Sequence, residues 1–440
     1  MGFRIWVTAL FVGAIFLGSV WLWKVTLPIS ILLLPFLFLD RSQLTLRLPS
    51  AAFPLLALGA IIVVQFLINF HDPSFQWKAD LAVWMPPMFA GLTILGIRGE
   101  GLTDRLTFRS MVTGGALTAL IMLLMIGFAP KGVFLLPGQD ASNVEATYAA
   151  ERAANTVEPA PAVQAPVAQS VPPASQPVQP AAPAGREAFS PKDGGNDTAF
   201  YDLKNRARTL LGLSNYIAVF MVFLFAVTLF SGLPFAAAAF GVMTALTLSR
   251  FGIVMLAAVT VIYLFRRKVP AVRMATILAA LCGLGMAALY LGQDLIPHIP
   301  GSSSLMARLE YWDSGVDALR LHPIIGAPRS VYLVEMDNSI TWNPHNSILW
   351  VAVNFGLVGL LAYIAYVWIA MREIAKAALT SDLWKGVFVG VAMILAWSLE
   401  EIIVLTPAFE LLLAALYMLG HNVNAPRSIH RASPIAGPLH

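Results

Sequence analysis

The sequence predicts an all-α, polytopic integral membrane protein of about 12 transmembrane helices, with one folded and one disordered loop on its outer side. Hydrophobic residues make up 58% of the 440-residue chain and charged residues 12%, whereas a soluble domain carries roughly 25% charged residues. Mean hydropathy is +0.74. The apolar residues also fall in runs long enough to cross a bilayer, for which about 20 residues are needed, or fewer where neighbouring helices give shelter.

Taken in order, the N-terminus "MGFRIWVTALFVGAIFLGSVWLWK" has one arginine ahead of an apolar stretch, as a signal peptide does. It lacks a small-x-small cleavage site and runs on into Trp21, Trp23 and Lys24, so it reads as a retained first helix. Residues 1–128 form a first unit with expected spans at 4–22, 25–39, 52–70, 79–97 and 110–128. An outer loop, 129–211, contains "EPAPAVQAPVAQSVPPASQPVQPAAPAG". This tract has no hydrophobic period and cannot offset its chain entropy by burial, so 140–199 reads as a disordered spacer. A central unit, 212–292, holds spans at 212–230, 233–249, 251–265 and 273–292. A second outer loop, 293–345, carries Tyr311, Trp312, Tyr332, Trp342, several prolines and mixed charge, and is expected to fold against the membrane helices. The last unit, 346–421, holds spans at 346–371, 386–404 and 407–421, and a tail follows at 422–440.

The charges test this layout. Arg41 and Arg47, then Arg98, Arg105 and Arg109, then Arg266, Arg267, Lys268 and Arg273, then Arg372, Lys376 and Lys385 all fall on one side. Short cytoplasmic loops hold Lys and Arg, so this side is cytoplasmic. An even number of spans places both termini there too, with Arg4, Arg427 and Arg431. The net charge of +4 therefore reports topology. No basic cluster is long enough to follow a phosphate backbone, which argues against nucleic acid. The single Cys282 excludes a disulfide framework and a zinc set, and no HExxH or His-Cys spacing occurs, so no metal or cofactor is expected. No repeat is visible, which counts against an inverted-repeat transporter.

Three groups of residues fall on the outer side. In "TLSRFGIVML", Arg250 interrupts an apolar stretch, and sixteen residues separate it from Arg266. That is roughly 24 Å of helix, so Arg250 belongs near the outer boundary, where a buried charge needs a partner or a wet cavity. The segment "SSLMARLEYWDSGVDALRLHPIIGAPRSVY" supplies Arg308, Arg320 and Arg329. Leu305, Leu309, Trp312, Val316 and Leu319 recur at helical spacing, predicting an amphipathic helix over 305–320 on the membrane surface. "HPIIGAP" then reads as a turn, with His322 structural. In "TWNPHNSILWVAVNFGLVG", Pro344 precedes a helix starting near Asn346 or Ser347. This sets His345 beside helix N-terminal amides, which favour anions. Asn343 and Asn346 are open to a capping reading. Imidazole is a poor cap, and its ordinary proton affinity suits a general base. Glu400 and Glu401, near the outer end of an expected span, are further costly charges that would pair with Arg250 or orient His345. Arginines that hold a diphosphate bidentately, a helix start and a histidine are the requirements of transfer from a lipid diphosphate.

These residues resemble the O-antigen ligase and polymerase superfamily of bacterial inner-membrane proteins. The resemblance rests on "SRFG", on "ARLEYWDSGVDALRLHPIIGAP" and on "PHNSILWVAVNFGLVGL", in that order over about residues 240–370; "GAPRS" stands where the family has Gly-x-Gly. It implies an all-helical, metal-independent glycosyltransferase of the inner membrane, with its active site facing the periplasm. The donor would be a glycan on undecaprenyl diphosphate and the acceptor lipid A-core or another glycan. By motif position it implies that Arg250 and Arg308 contact the diphosphate and that His345 is the base; Asn346 joins the substrate-binding set, and Glu400, Glu401, Arg320 and Arg329 support. A ligase is the preferred reading. A polymerase and a protein O-oligosaccharyltransferase use the same donor end, and a transporter of lipid-linked saccharides stays as the alternative outside the enzyme class.

Overall fold

The computed structural model describes residues 2–22, 25–39, 48–97, 104–128, 214–247, 249–293, 303–336 and 344–424. The Ala/Pro tract, Asn343 and most of the 422–440 tail lie outside these residues. The described chain is helical throughout apart from one hairpin. In order it forms α1 (Gly2–Ile15), β1 (Ser19–Leu22), β2 (Val25–Pro28), a 3-10 helix (Ile29–Phe38), α2 (Ala52–Asn69), α3 (Trp77–Gly96) and α4 (Asp104–Phe128). There follow α5 (Ser214–Phe230), α6 (Pro234–Leu246), α7 (Arg250–Phe265), α8 (Ala271–Leu291), α9 (Ser303–Leu321) and α10 (Arg329–Glu335). Last come α11 (Ser347–Ala378), α12 (Asp382–Trp397) and α13 (Pro407–Asn424).

Five of these helices, α2, α3, α4, α8 and α11, are long and apolar enough to cross a membrane. Their partial burial fits that role: Phe53, Leu56, Leu67, Leu281 and Leu284 remain exposed on α2 and α8, as expected where a helix faces lipid. Burial is far more complete in α5, α12 and α13, where nearly every residue from Ile217 to Val227 and from Phe409 to Leu419 is enclosed. A helix apolar on all sides belongs at the centre of such a bundle. Packing rather than the hydrophobic effect must hold it there, because lipid is as apolar as leucine. Gly386 and Gly390 of α12 make the close approach to α5 possible: a Cβ on them would lie 2.8 Å from Ala226 O and 2.7 Å from the Phe223 ring.

The first two expected spans are built differently from the prediction. The helix of 4–22 stops at Ile15, and the segment expected as 25–39 opens as a strand, pairing Ser19 with Pro28 and Leu22 with Val25. Gly18, three residues past the end of α1, turns the chain at φ 121°, and Val20, Val25 and Thr26 are residue types enriched in strands. Pro28 and Pro35 then hold the continuation to a 3-10 helix without a full set of amide donors.

The segment expected as the second outer loop contains two helices among its described residues, α9 and α10. Its amphipathic stretch is α9, and Leu309 and Trp312 pack on Met286 and Tyr290 of α8 and on Leu349 of α11. Tyr290 donates its hydroxyl to Asp313 at 2.8 Å. Residues 322–328 form a turn, with Gly326 at φ 67°. That turn meets a break in α11, where Gly356 has φ 66°. Gly356 cannot carry a side chain, because a Cβ would stand 2.2 Å from Ile324 O.

Candidate functional site

The site is assembled where α11 begins. Asn346 is its N-cap, and Oδ1 accepts from the amides of Ile348 at 2.9 Å and Leu349 at 3.1 Å. This satisfies two of the amides that a helix start leaves without intrahelical partners. The same side chain donates from Nδ2 to Leu399 O at 2.9 Å. Ser347 continues the stitching: its amide donates to Ser398 O at 2.8 Å. Its hydroxyl donates to Glu401 O at 2.8 Å and accepts from Ile403 N at 2.9 Å. The expected span 386–404 therefore ends as a helix at Trp397. Its last residues become a turn, 398–406, in which the carbonyls of Ser398, Leu399 and Glu401 and the amides of Ile403 and Val404 bond to Asn346 and Ser347 at the start of α11.

This turn delivers both glutamates. Glu401, 7% exposed, accepts from His345 Nδ1 at 3.1 Å on Oε1 and from Asn215 Nδ2 at 3.1 Å on Oε2. Glu400, 6% exposed, forms an ion pair with Arg308 of α9. A buried carboxylate is costly unless paired and hydrogen-bonded, and each of these two has a cationic or imidazole partner. Burial pushes the Glu401 carboxyl up, but the hydrogen bond from His345 and the charges of His345 and Arg308 outweigh it, leaving the group below its ordinary value. Nδ1 of His345 thus faces the Glu401 carboxylate, an arrangement that fixes the tautomer and orientation of an imidazole.

The backbone of His345 is itself unusual, with φ 44°. A side chain larger than glycine in this region carries strain of order 1–3 kcal/mol, and such outliers cluster at functional sites. The constraints are local and visible: Pro344 lies before it, the Asn346 cap after it, Glu401 behind its ring, and Tyr311 against it at 5.7 Å between centroids.

Arg250 opens α7, with Ser249 as its N-cap. The next residue, Phe251, lies 5.9 Å from the Trp397 ring, which brings this helix start to the same end of the bundle as the 398–406 turn. At the far end of α7, Arg266 lies over Tyr263 at 3.5 Å, so the helix carries a cation at each end, as its sequence spacing predicted. Two of the expected residues stand apart. Arg320 pairs with Asp317 on the exposed side of α9 at 2.7 Å. Arg329 opens α10 and lies over Trp350 at 5.6 Å. His322 is joined through Nε2 to Glu335 at 2.6 Å.

Sequence reasoning missed four contributors. Asn215 and Tyr216, at the start of α5, hold Glu401 and Ile402 O; their signal was two polar residues opening an apolar run. Asp80, buried in α3, accepts from Ser330 N at 2.9 Å and Ser330 Oγ at 2.6 Å and so anchors the start of α10. Gln65 of α2 donates Nε2 to Ile325 O at 2.8 Å and to Asn354 O at 2.6 Å, clamping the turn to the break in α11.

Helices of membrane-crossing length around a paired cluster of half-buried arginine and histidine with buried glutamates define an integral membrane protein with a polar site at one end of its bundle. The family model described as O-antigen ligase matches residues 235–364, which supports the resemblance of this chain to the O-antigen ligase and polymerase superfamily, a membrane glycosyltransferase family. The matched segment runs from α6 into α11. It contains Arg250, Arg308 and His345 and ends before Glu400 and Glu401. A comparison with curated proteins found no match.

Proposed function

We propose that this protein is a glycosyltransferase of the O-antigen ligase type. In this reading it moves a glycan from undecaprenyl diphosphate to lipid A-core at the periplasmic face of a bacterial inner membrane, with both termini in the cytoplasm. The observation that carries the reading is the His345–Glu401 pair at 3.1 Å, set in the same turn as the Arg308–Glu400 pair. A carboxylate behind Nδ1 fixes the tautomer and raises the basicity of the ring, as a general base requires.

The step follows from this. An acceptor hydroxyl gives its proton to His345 as its oxygen attacks the anomeric carbon of the donor. The bond between that carbon and the phosphate oxygen breaks, and the electron pair leaves with the lipid diphosphate. Arg250 and Arg308 hold the developing negative charge. Glu400 keeps Arg308 in place without exhausting it, because a guanidinium has five donors. Asn346 spends its oxygen and one amide hydrogen within the protein, so its part is to position His345. Arg320 and Arg329 support the fold of the outer segment.

The reading is tested by the glycans of a host lacking this gene, complemented with wild type or His345→Ala. Long polymer stranded on the lipid carrier with bare lipid A-core supports a ligase. Single repeat units there point to a polymerase, and an unchanged lipopolysaccharide refutes both in favour of another acceptor. Normal transfer with His345→Ala removes His345 as the base, and failure of the donor to reach the outer leaflet returns the transporter.

A further inference from the structure

A second polar site lies away from His345. A cavity of about 300 Å³ separates the end of α2 from the 321–327 turn, with Gln65, Asn69, His322, Pro323 and Ile324 among its walls. Its size falls at the lower end of the range for small-molecule pockets. The walls are unusually well fixed. Leu357 N donates to Pro323 O at 2.8 Å and Val358 N to Ile324 O at 3.1 Å, so the turn is bonded into the break of α11. Gln65 spends both amide hydrogens on the clamp between them. Its Oε1 is buried and has no hydrogen-bond donor among the described residues. Asn69 donates to Gln65 O at 2.8 Å, and His322 is tethered through Nε2 to Glu335.

The chemistry of the walls selects the ligand. Among the described residues no lysine or arginine lines the cavity, so these walls offer a phosphate or diphosphate no counter-charge. Amides, an imidazole and a turn backbone alternate with Ile68, Ile324 and Ile325. That mixture fits a molecule with hydroxyls on its edges and C–H groups on its faces. Position adds a second argument: seven residues of α11 separate Ser347 from Asn354, roughly 10 Å of helix. The cavity therefore meets the same helix that His345 precedes, a short oligosaccharide's length away.

We propose that this cavity is a subsite for an uncharged sugar residue of the glycan being transferred or of the glycan receiving it, with a sugar hydroxyl donating to Gln65 Oε1. The proposal rests on the glycan-transfer reading. It assigns Gln65, Asn69 and His322 to binding and leaves the chemistry to His345.

The test uses the full-length protein in lipid nanodiscs, with the host's extracted lipid-linked glycan as donor and the oligosaccharide freed from it by mild acid as binding probe. Asn69→Trp fills the cavity, and Asn69→Ala trims its wall without adding bulk. Wild type and His345→Ala should bind the free oligosaccharide alike, and Asn69→Trp at least tenfold more weakly. In transfer, both Asn69 variants should raise KM severalfold with kcat nearly unchanged. A rise in KM for the donor marks the transferred glycan as the occupant, and a rise for the acceptor marks the receiving one. Unchanged KM for both substrates in Asn69→Trp, or undiminished oligosaccharide binding, overturns the proposal. A wild-type protein that binds the oligosaccharide in an Asn69-dependent way but transfers no glycan upholds the subsite and refutes the transferase reading alone.

Discussion

Replacing Glu401 by glutamine removes one charge and keeps the shape of the side chain, so it isolates what the carboxylate does. Glu401 accepts from His345 and from Asn215, each at 3.1 Å. Hydrogen bonds to a charged group contribute about 1.5–3 kcal/mol against about 0.5–1.5 for neutral pairs. The loss at His345 is therefore about 1–1.5 kcal/mol, or roughly tenfold in rate if that bond supports the imidazolium formed in the transition state. Asn215 can turn its amide to face the new NH2 group, so the second bond survives. We expect kcat to fall about 5- to 15-fold with KM for the donor unchanged, because Arg250 and Arg308 are untouched. The assay is transfer of extracted lipid-linked glycan by the reconstituted protein. A kcat within twofold of wild type refutes the role given to Glu401. The same variant tests the pH dependence of stability. Glu401 lies in the turn between α12 and α13, and its folded-state value is held below the ordinary 4.5. On acidification the unfolded chain takes up this proton first. The stability it contributes is thus complete above that ordinary value and is lost as pH falls through the folded one. The wild-type unfolding midpoint should drop as pH falls below about 4.5, and Glu401→Gln should lack that component; identical acid profiles contradict it.

Asn346→Ala removes the acceptor of two backbone amides and the tie to Leu399 O, and should cost about 1–2 kcal/mol of stability, read as a lower unfolding midpoint in detergent together with reduced transfer. Gly356→Ala meets both the left-handed backbone and Ile324 O, and should cost about 2–5 kcal/mol, seen as poor recovery of folded protein. Gly285→Ala is its control, since nothing stands within 4 Å of the added Cβ, and it should be neutral. Arg250→Lys should lower transfer at least tenfold, because an ammonium does not reproduce a planar bidentate contact; activity near wild type removes Arg250 from the diphosphate site.

Much of the architecture was legible where local composition decides it. Helices stand where spans were expected: Ala52–Asn69 at 52–70, Trp77–Gly96 at 79–97, Ala271–Leu291 at 273–292 and, as a shorter apolar helix, Arg250–Phe265 at 251–265. The features that escaped are nonlocal. The break at Gly356 exists because Gln65 and the carbonyls of 323–324 take up backbone groups from elsewhere in the chain, and no hydropathy window contains that information. The early end of α12 depends likewise on Asn346 and Ser347, some fifty residues upstream. In the site, the cost of burying Glu401 pointed to a partner, and His345 is that partner. Glu400 found Arg308, a residue whose distance in sequence gave no hint of the pairing.

The most direct measurement of the central claim is single-turnover transfer by purified wild type and His345→Ala, each loaded with lipid-linked glycan and mixed with acceptor. The account predicts that both bind the donor, that wild type forms glycosylated acceptor and free lipid diphosphate in equal amounts, and that His345→Ala forms neither. Equal product from both proteins would contradict it.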